Sequence, residues 1–274
     1  MYCYCENNCL LSSDPTGYWD RNDHVSITKY NGFWGNTYSV VQNWVYNADS
    51  YPCKSTKDYS TPFHGRSNAL EIGKKLFNLA LKVKSSSKKL KFTFENKKKG
   101  YESISFLKYI KKNGGNKNKT NKAQEDLLKI LNNKDNSKKT QTYIILGLSL
   151  HTIQDYFAHV VLASAQVASD KYYGNKNKKT YNNLKMFEIN QKMKMSTLLI
   201  EDNPSVFPWR IQSAKSITQK LSEFWTKNKK ISKIYCASSN NQYTYKLYYE
   251  RRTINSITPE YWVLTSMQYI WYIS

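Results

Sequence analysis

The sequence predicts a mainly α-helical single domain with basic loop insertions, and three observations carry that reading. Apolar residues return at steps of three and four along most of the chain, the spacing that gathers them on one face of a helix. Lysine- and asparagine-rich runs, which have no apolar face to bury, separate those stretches. Apolar residues make up 40% and aromatic residues 15% of 274 residues, with no internal repeat, which is enough to close one large core.

Taken in order, residues 1–23 are rich in Asn, Asp, Ser, Cys and Gly and read as an irregular N-terminal segment. Residues 24–230 carry the helical domain. Within it, Tyr38, Val41, Trp44 and Val45 predict a helix over about 37–46, and two prolines mark a loop over 52–63. Leu70, Ile72, Leu76, Phe77, Leu79 and Leu81 predict a strong helix over 67–83. After a lysine-rich stretch, Ile104, Leu107 and Ile110 suggest a shorter helix over 101–112, and another follows near 123–131. The longest signal runs over 141–169; it is apolar nearly all round at its start, as a central, buried helix must be. Two more helical patterns occur over 182–199 and 209–227. The aromatic-rich segment 231–274 fits either short strands or an irregular tail.

Charge bounds the partners. The chain carries 42 Lys and Arg against 20 Asp and Glu, a formal net charge of +22. Arginine, the usual bidentate reader of phosphates and bases, occurs only as Arg21, Arg66, Arg210, Arg251 and Arg252. The excess is read first as the composition an AT-rich genome encodes. It is read second as attraction to an anionic surface, phospholipid headgroups or nucleic acid. No stretch reaches the roughly 18–20 apolar residues of a membrane span. The N-terminus lacks the basic and apolar regions of a secretory signal, so the protein stays where it is made or its signal lies outside this chain. Cys3, Cys5, Cys9, Cys53 and Cys236 provide neither two zinc-ribbon pairs nor a defined disulfide set. A Gly-x-Ser-x-Gly nucleophile motif and a glycine-rich phosphate loop are both absent.

The chemistry lies in the histidines, of which there are four: His24, His64, His151 and His159. Two of them sit in the most apolar helix with Asp155 midway, in His151-Thr-Ile-Gln-Asp155-Tyr-Phe-Ala-His159. Residues four apart on a helix advance by a residual ~40°, so these three form a slowly winding row on one face. A carboxylate between imidazoles on a buried helix is costly unless a cation compensates it. A divalent metal does so directly, since imidazole nitrogen and carboxylate oxygen are both zinc ligands. The rival reading is a hydrogen-bonded His–Asp–His core cluster. His24 in Asn22-Asp-His-Val, His64 in Pro62-Phe-His-Gly and Asp49 offer further ligands from distant segments.

The ordered set His24, Asp49, His64, His151-x-x-x-Asp155, His159 resembles the zinc-dependent phospholipase C / P1 nuclease superfamily, and the helix string is also similar to Het-C-like proteins. The resemblance spans about residues 19–170 by motif order. It implies a multi-helix phospholipase C/P1 nuclease-like bundle, a secreted protein, and a zinc-dependent phosphodiester hydrolase acting on a phospholipid headgroup. His64 and His151 would hold one zinc with Asp155, which would bridge to a second zinc held by His24. Asp49 would activate or orient the attacking water, and His159 would belong to the last zinc position. Paired zinc ions of this kind suit in-line phosphoester cleavage.

The chain departs from the pattern in three places. His159 follows Asp155 by only four residues, no histidine follows it to complete a His-x-x-x-Glu pair, and Trp19 is internal rather than N-terminal. The expectation is therefore two zinc ions, with the third position open and Asp170, Glu188, Glu201 or Asp202 as substitutes. A P1-type nuclease, and a non-catalytic helical protein that keeps a degenerate metal site to bind a membrane or partner, are the rival functions.

Overall fold

The computed structural model describes residues 21–48, 59–63, 68–111, 114–159, 208–237 and 270–274, with short strands at 162–164, 181–182, 186–188, 242–243, 247–250 and 261–264. These residues are mainly helical. Six α-helices are described: α1 Arg21–Tyr30, α2 Ser39–Asn47, α3 Ala69–Ser85, α4 Lys117–Leu131, α5 Lys138–His159 and α6 Pro208–Thr226.

Helix α5 is the axis of the molecule. Every residue from Ile144 to Ala158 is buried, because Ile144, Ile145, Leu146, Leu148 and Leu150 leave no face suited to water. Such a helix needs partners on all sides, and α1, α2, α3, α4 and α6 all pack against it. Two glycines set the closest approaches. A Cβ on Gly147 would stand 2.7 Å from both the Val41 carbonyl oxygen and the Trp44 Cβ of α2. One on Gly73 of α3 would stand 2.3 Å from Ile153 Cγ1. The Ser149 hydroxyl uses that proximity, donating to the Gly73 carbonyl at 2.7 Å.

Helix α3 buries Leu76, Phe77, Ala80 and Val83, and its charges suit the helix dipole, with Glu71 in the first turn and Lys82 and Lys84 in the last. Asn78 ties α3 to the chain that follows α6. Its amide donates to the Ile231 carbonyl at 2.7 Å and accepts from the Ile231 N–H at 2.8 Å. The α4 start is capped by Asn116, whose side chain accepts from the Asn118 N–H at 2.8 Å.

The helices expected over 37–46, 67–83, 123–131 and 209–227 correspond to α2, α3, α4 and α6. Three stretches differ. The helix expected over 101–112 is instead two short strands with a 3-10 turn between, Glu102–Ser103 pairing with Phe92–Thr93 and Ile110–Lys111 with Tyr59–Ser60. Here Glu102 and Ile104 donate backbone hydrogen bonds to the Lys91 and Thr93 carbonyls at 2.6 and 2.8 Å. The three-residue step that suggested a helix is met by a single turn, with Leu107 N–H on the Ile104 carbonyl at 2.9 Å. Ile104 and Leu107 are buried, while Ile110 is 57% exposed and faces away from the core.

The long helix ends at His159, not near residue 169. Two β-branched residues, Val160 and Val161, come next in sequence. A strand at Leu162–Ser164 then pairs antiparallel with Met186–Glu188, a segment expected to be helical. Partner strands override local helix propensity there, and again at Asn182, whose strand Tyr181–Asn182 pairs with Gln242–Tyr243; the rest of 182–199 lies outside the described residues. At the C-terminal end, where the sequence leaves short strands and an irregular tail both open, the described residues include two strand pairs. Ile234–Ala237 pairs with Ile270–Ile273 and Leu247–Glu250 with Tyr261–Leu264, both antiparallel. Tyr235 and Tyr272 stack across the first pair at 5.5 Å.

Candidate metal centre

Helix α1 is polar along most of its length, and its buried residues are His24, Ile27 and Thr28. That three- and four-residue step turns one face toward α5. On α5, His151 and Asp155 lie one above the other at a four-residue spacing. Packing α1 onto α5 therefore brings His24 to the pair, although it lies far away in sequence.

All three side chains are almost fully enclosed, at 1% exposure for His24, 0% for His151 and 1% for Asp155. The Asp155 carboxylate divides between the two rings. Its Oδ1 is 3.4 Å from His24 Nε2, and its Oδ2 is 3.7 Å from His151 Nε2. The rings lie against each other with centroids 4.6 Å apart and planes tilted by 42°.

One ligand atom from each residue lies within 4.8 Å of the others. Donors on a tetrahedral zinc stand roughly 3.3–3.5 Å apart, from bond lengths of about 2.0–2.2 Å. Both nitrogen–oxygen separations are close to that edge length and longer than the roughly 2.7–3.2 Å of a good N–H···O hydrogen bond. Two imidazoles and one carboxylate also match zinc in donor type. Among the described residues, this is the one group of His, Cys, Asp and Glu side chains that can hold a metal ion.

Of the residues predicted for the site, the structure brings together His24, His151 and Asp155. His159 is the last residue of α5. Its side chain lies outside the described residues, as do Asp49, His64, and Cys3, Cys5, Cys9 and Cys53.

The sequence reading missed the residues beside the cluster. Gln154 is fully buried, with its Oε1 3.1 Å from His24 Nδ1. Its Nε2 donates to the Thr28 hydroxyl at 2.9 Å and to the Thr218 hydroxyl at 3.3 Å. One signal pointed to it: a glutamine inside a helix buried all round must find partners for its amide. Neither Thr28 of α1 nor Thr218 of α6 carried a comparable signal.

No family model, curated protein or solved structure matches this chain.

Proposed function

We propose that this protein is a zinc-dependent phosphodiester hydrolase of phospholipase C type, folded as a phospholipase C/P1 nuclease-like helical bundle. The observation that carries the reading is the division of one buried carboxylate between two histidines, Oδ1 toward His24 and Oδ2 toward His151. That arrangement suits a carboxylate bridging two cations, the role the family resemblance gives Asp155. His64 would complete the cation held by His151, and Asp49 would orient the attacking water.

When bound, zinc would acidify a water molecule and take up charge from the phosphoryl oxygens. The chain's own contribution is to hold neutral imidazole nitrogens and one carboxylate in a dry setting, where they keep their positions without solvent competition. An anionic phospholipid surface is the partner we favour. Its support is an exposed aromatic pair, Tyr30 at 68% and Trp34 at 65%, with the Lys29 ammonium 5.5 and 5.4 Å from their ring centroids. Aromatic rings with a polar tip beside a cation suit a headgroup layer.

One observation favours a second reading. Exposure of 0–1% at all three cluster residues also suits a cation that pins α1 to α5 and does no chemistry. The deciding experiment measures zinc per chain and hydrolysis together, on phosphatidylcholine vesicles containing anionic phosphatidylglycerol and on single-stranded DNA, for wild type, His151→Ala and Asp155→Asn. We expect at least one zinc per chain, lipid hydrolysis, and loss of both in the variants. Less than one zinc in the wild type would sink the metal reading. Full zinc without hydrolysis would leave the structural reading, and cleavage of DNA alone would make the protein a nuclease.

A further inference from the structure

We infer that Gln154 is a positioning residue that sets the tautomer of His24, placing the ring proton on Nδ1 so that Nε2 presents its lone pair to the cluster. The inference rests on the metal-binding reading above.

A neutral imidazole carries one N–H, and the partner of one nitrogen decides the state of the other. The two nitrogens of His24 face consecutive residues of α5. Nδ1 lies 3.1 Å from Gln154 Oε1, and Nε2 lies 3.4 Å from Asp155 Oδ1. Each neighbour has an oxygen that can accept a proton donor, so the two compete for the same hydrogen.

Distance favours Nδ1, because 3.1 Å is within N–H···O hydrogen-bond range and 3.4 Å is beyond it, and the far end of the Gln154 amide keeps its oxygen there. Its Nε2 sits 2.9 Å from Thr28 Oγ1 and 3.3 Å from Thr218 Oγ1. An amide NH2 has two hydrogens, and the two hydroxyl oxygens take one each. Turned over, the amide would bring both hydrogens toward a single ring nitrogen, which can accept only one. At a fully buried position the stranded hydrogen would find no water to replace the lost bond.

The orientation is thus held by α1 through Thr28 and by α6 through Thr218. It leaves Oε1 facing Nδ1. A metal-binding histidine characteristically donates its other ring N–H to a fixed oxygen, and the Gln154 carbonyl takes that part here. His24 and Thr28 are both on α1, so the same helix supplies the ligand and half of the clamp that orients it.

The test uses the full chain with 15N-labelled imidazoles; with four histidines, the long-range proton–nitrogen spectrum is sparse enough to read. Near pH 8, where an ordinary histidine is neutral, metal-free wild type should show His24 protonated at Nδ1. Gln154→Leu should move that proton to Nε2 and raise the zinc Kd by about 10- to 100-fold, measured by competition with a chromophoric chelator. Gln154→Glu, which keeps an oxygen toward Nδ1, should retain the wild-type tautomer and stay within a few-fold in Kd.

Thr218→Val loosens the amide without touching His24 and should give an intermediate Kd. It carries the test with Gln154→Glu if Gln154→Leu fails to fold. An Nε2-protonated His24 in the wild type, or an unchanged tautomer and zinc Kd in the folded Leu variant, would overturn the inference while leaving the metal reading in place. A wild type that binds no zinc would instead remove the metal reading, with the tautomer spectra still deciding what Gln154 does to His24.

Discussion

From Ile144 to Leu150, helix α5 is built of isoleucine and leucine interrupted by Gly147 and Ser149; from His151 to Ala158 it carries His151, Thr152, Gln154 and Asp155 among Ile153, Tyr156 and Phe157. Both stretches are buried to the same degree. What differs is how burial is made tolerable. In the first, apolar side chains fill the space between α2 and α3, and Gly147 allows backbone contact. In the second, polar side chains find partners on other helices: Gln154 on α1 and α6, and Asp155 against His24. Apolar packing is close to interchangeable between helices, whereas each polar contact names a particular partner. The first half accordingly supplies stability, and the second specifies which helices must meet at the site.

The largest expected effect tests whether stability belongs to the apolar half. Leu148→Ala should cost about 3 kcal/mol in denaturant unfolding, the usual loss for a buried leucine in a core that cannot collapse around the gap. Its zinc Kd should not change. A tenfold weaker affinity would show that the two halves act as one unit.

Next comes the polar half. Asp155→Asn should change the stability of metal-free protein by less than about 1 kcal/mol, since losing a buried charge offsets losing its partners. Zinc at 100 times its Kd should stabilise the wild type by about 2.7 kcal/mol, and the variant not at all. Thermal unfolding with zinc and with a chelator measures both. Equal stabilisation of the two proteins would remove Asp155 from the site.

The smallest effect lies at the edge of the apolar half. Tyr143 is the residue of α5 between Gln141 and Ala158 that is only half-buried, and its ring sits 5.6 Å from that of Tyr38. Burial, and then the charge of Tyr38, raises its pKa above the ordinary tyrosine value. The folded value exceeds the unfolded one, so the associated stability is complete below about pH 10 and is lost as pH rises through the folded value. Tyr143→Phe should therefore flatten the fall in stability above pH 10, measured as the difference between the two proteins. Parallel curves would mean that Tyr143 titrates normally.

Four helices were legible because their apolar positions repeat within the element itself, as Leu76, Phe77, Ala80 and Val83 do in α3. The reading failed where a strand partner decided the outcome. Ile104 and Leu107 have helical spacing, but the backbone of 91–93 captured their segment. The same happened at Met186–Glu188, which pairs with Leu162–Ser164. Periodicity reports one chain's faces and carries no information about the strand that will lie beside it.

The site divides the same way. His151 and Asp155 share a face because 3.6 residues make a turn, and that follows from their positions alone. The buried, near-continuous apolar run around them is equally a matter of composition, so the sequence by itself determines both. That the His24 imidazole reaches across from α1 to lie between Gln154 and Asp155 depends on how two helices pack. So does the clamp formed by Thr28 and Thr218. Interhelical contacts at 3 Å are set by the summed packing of the whole core, which no local pattern encodes, and only the tertiary structure decided them.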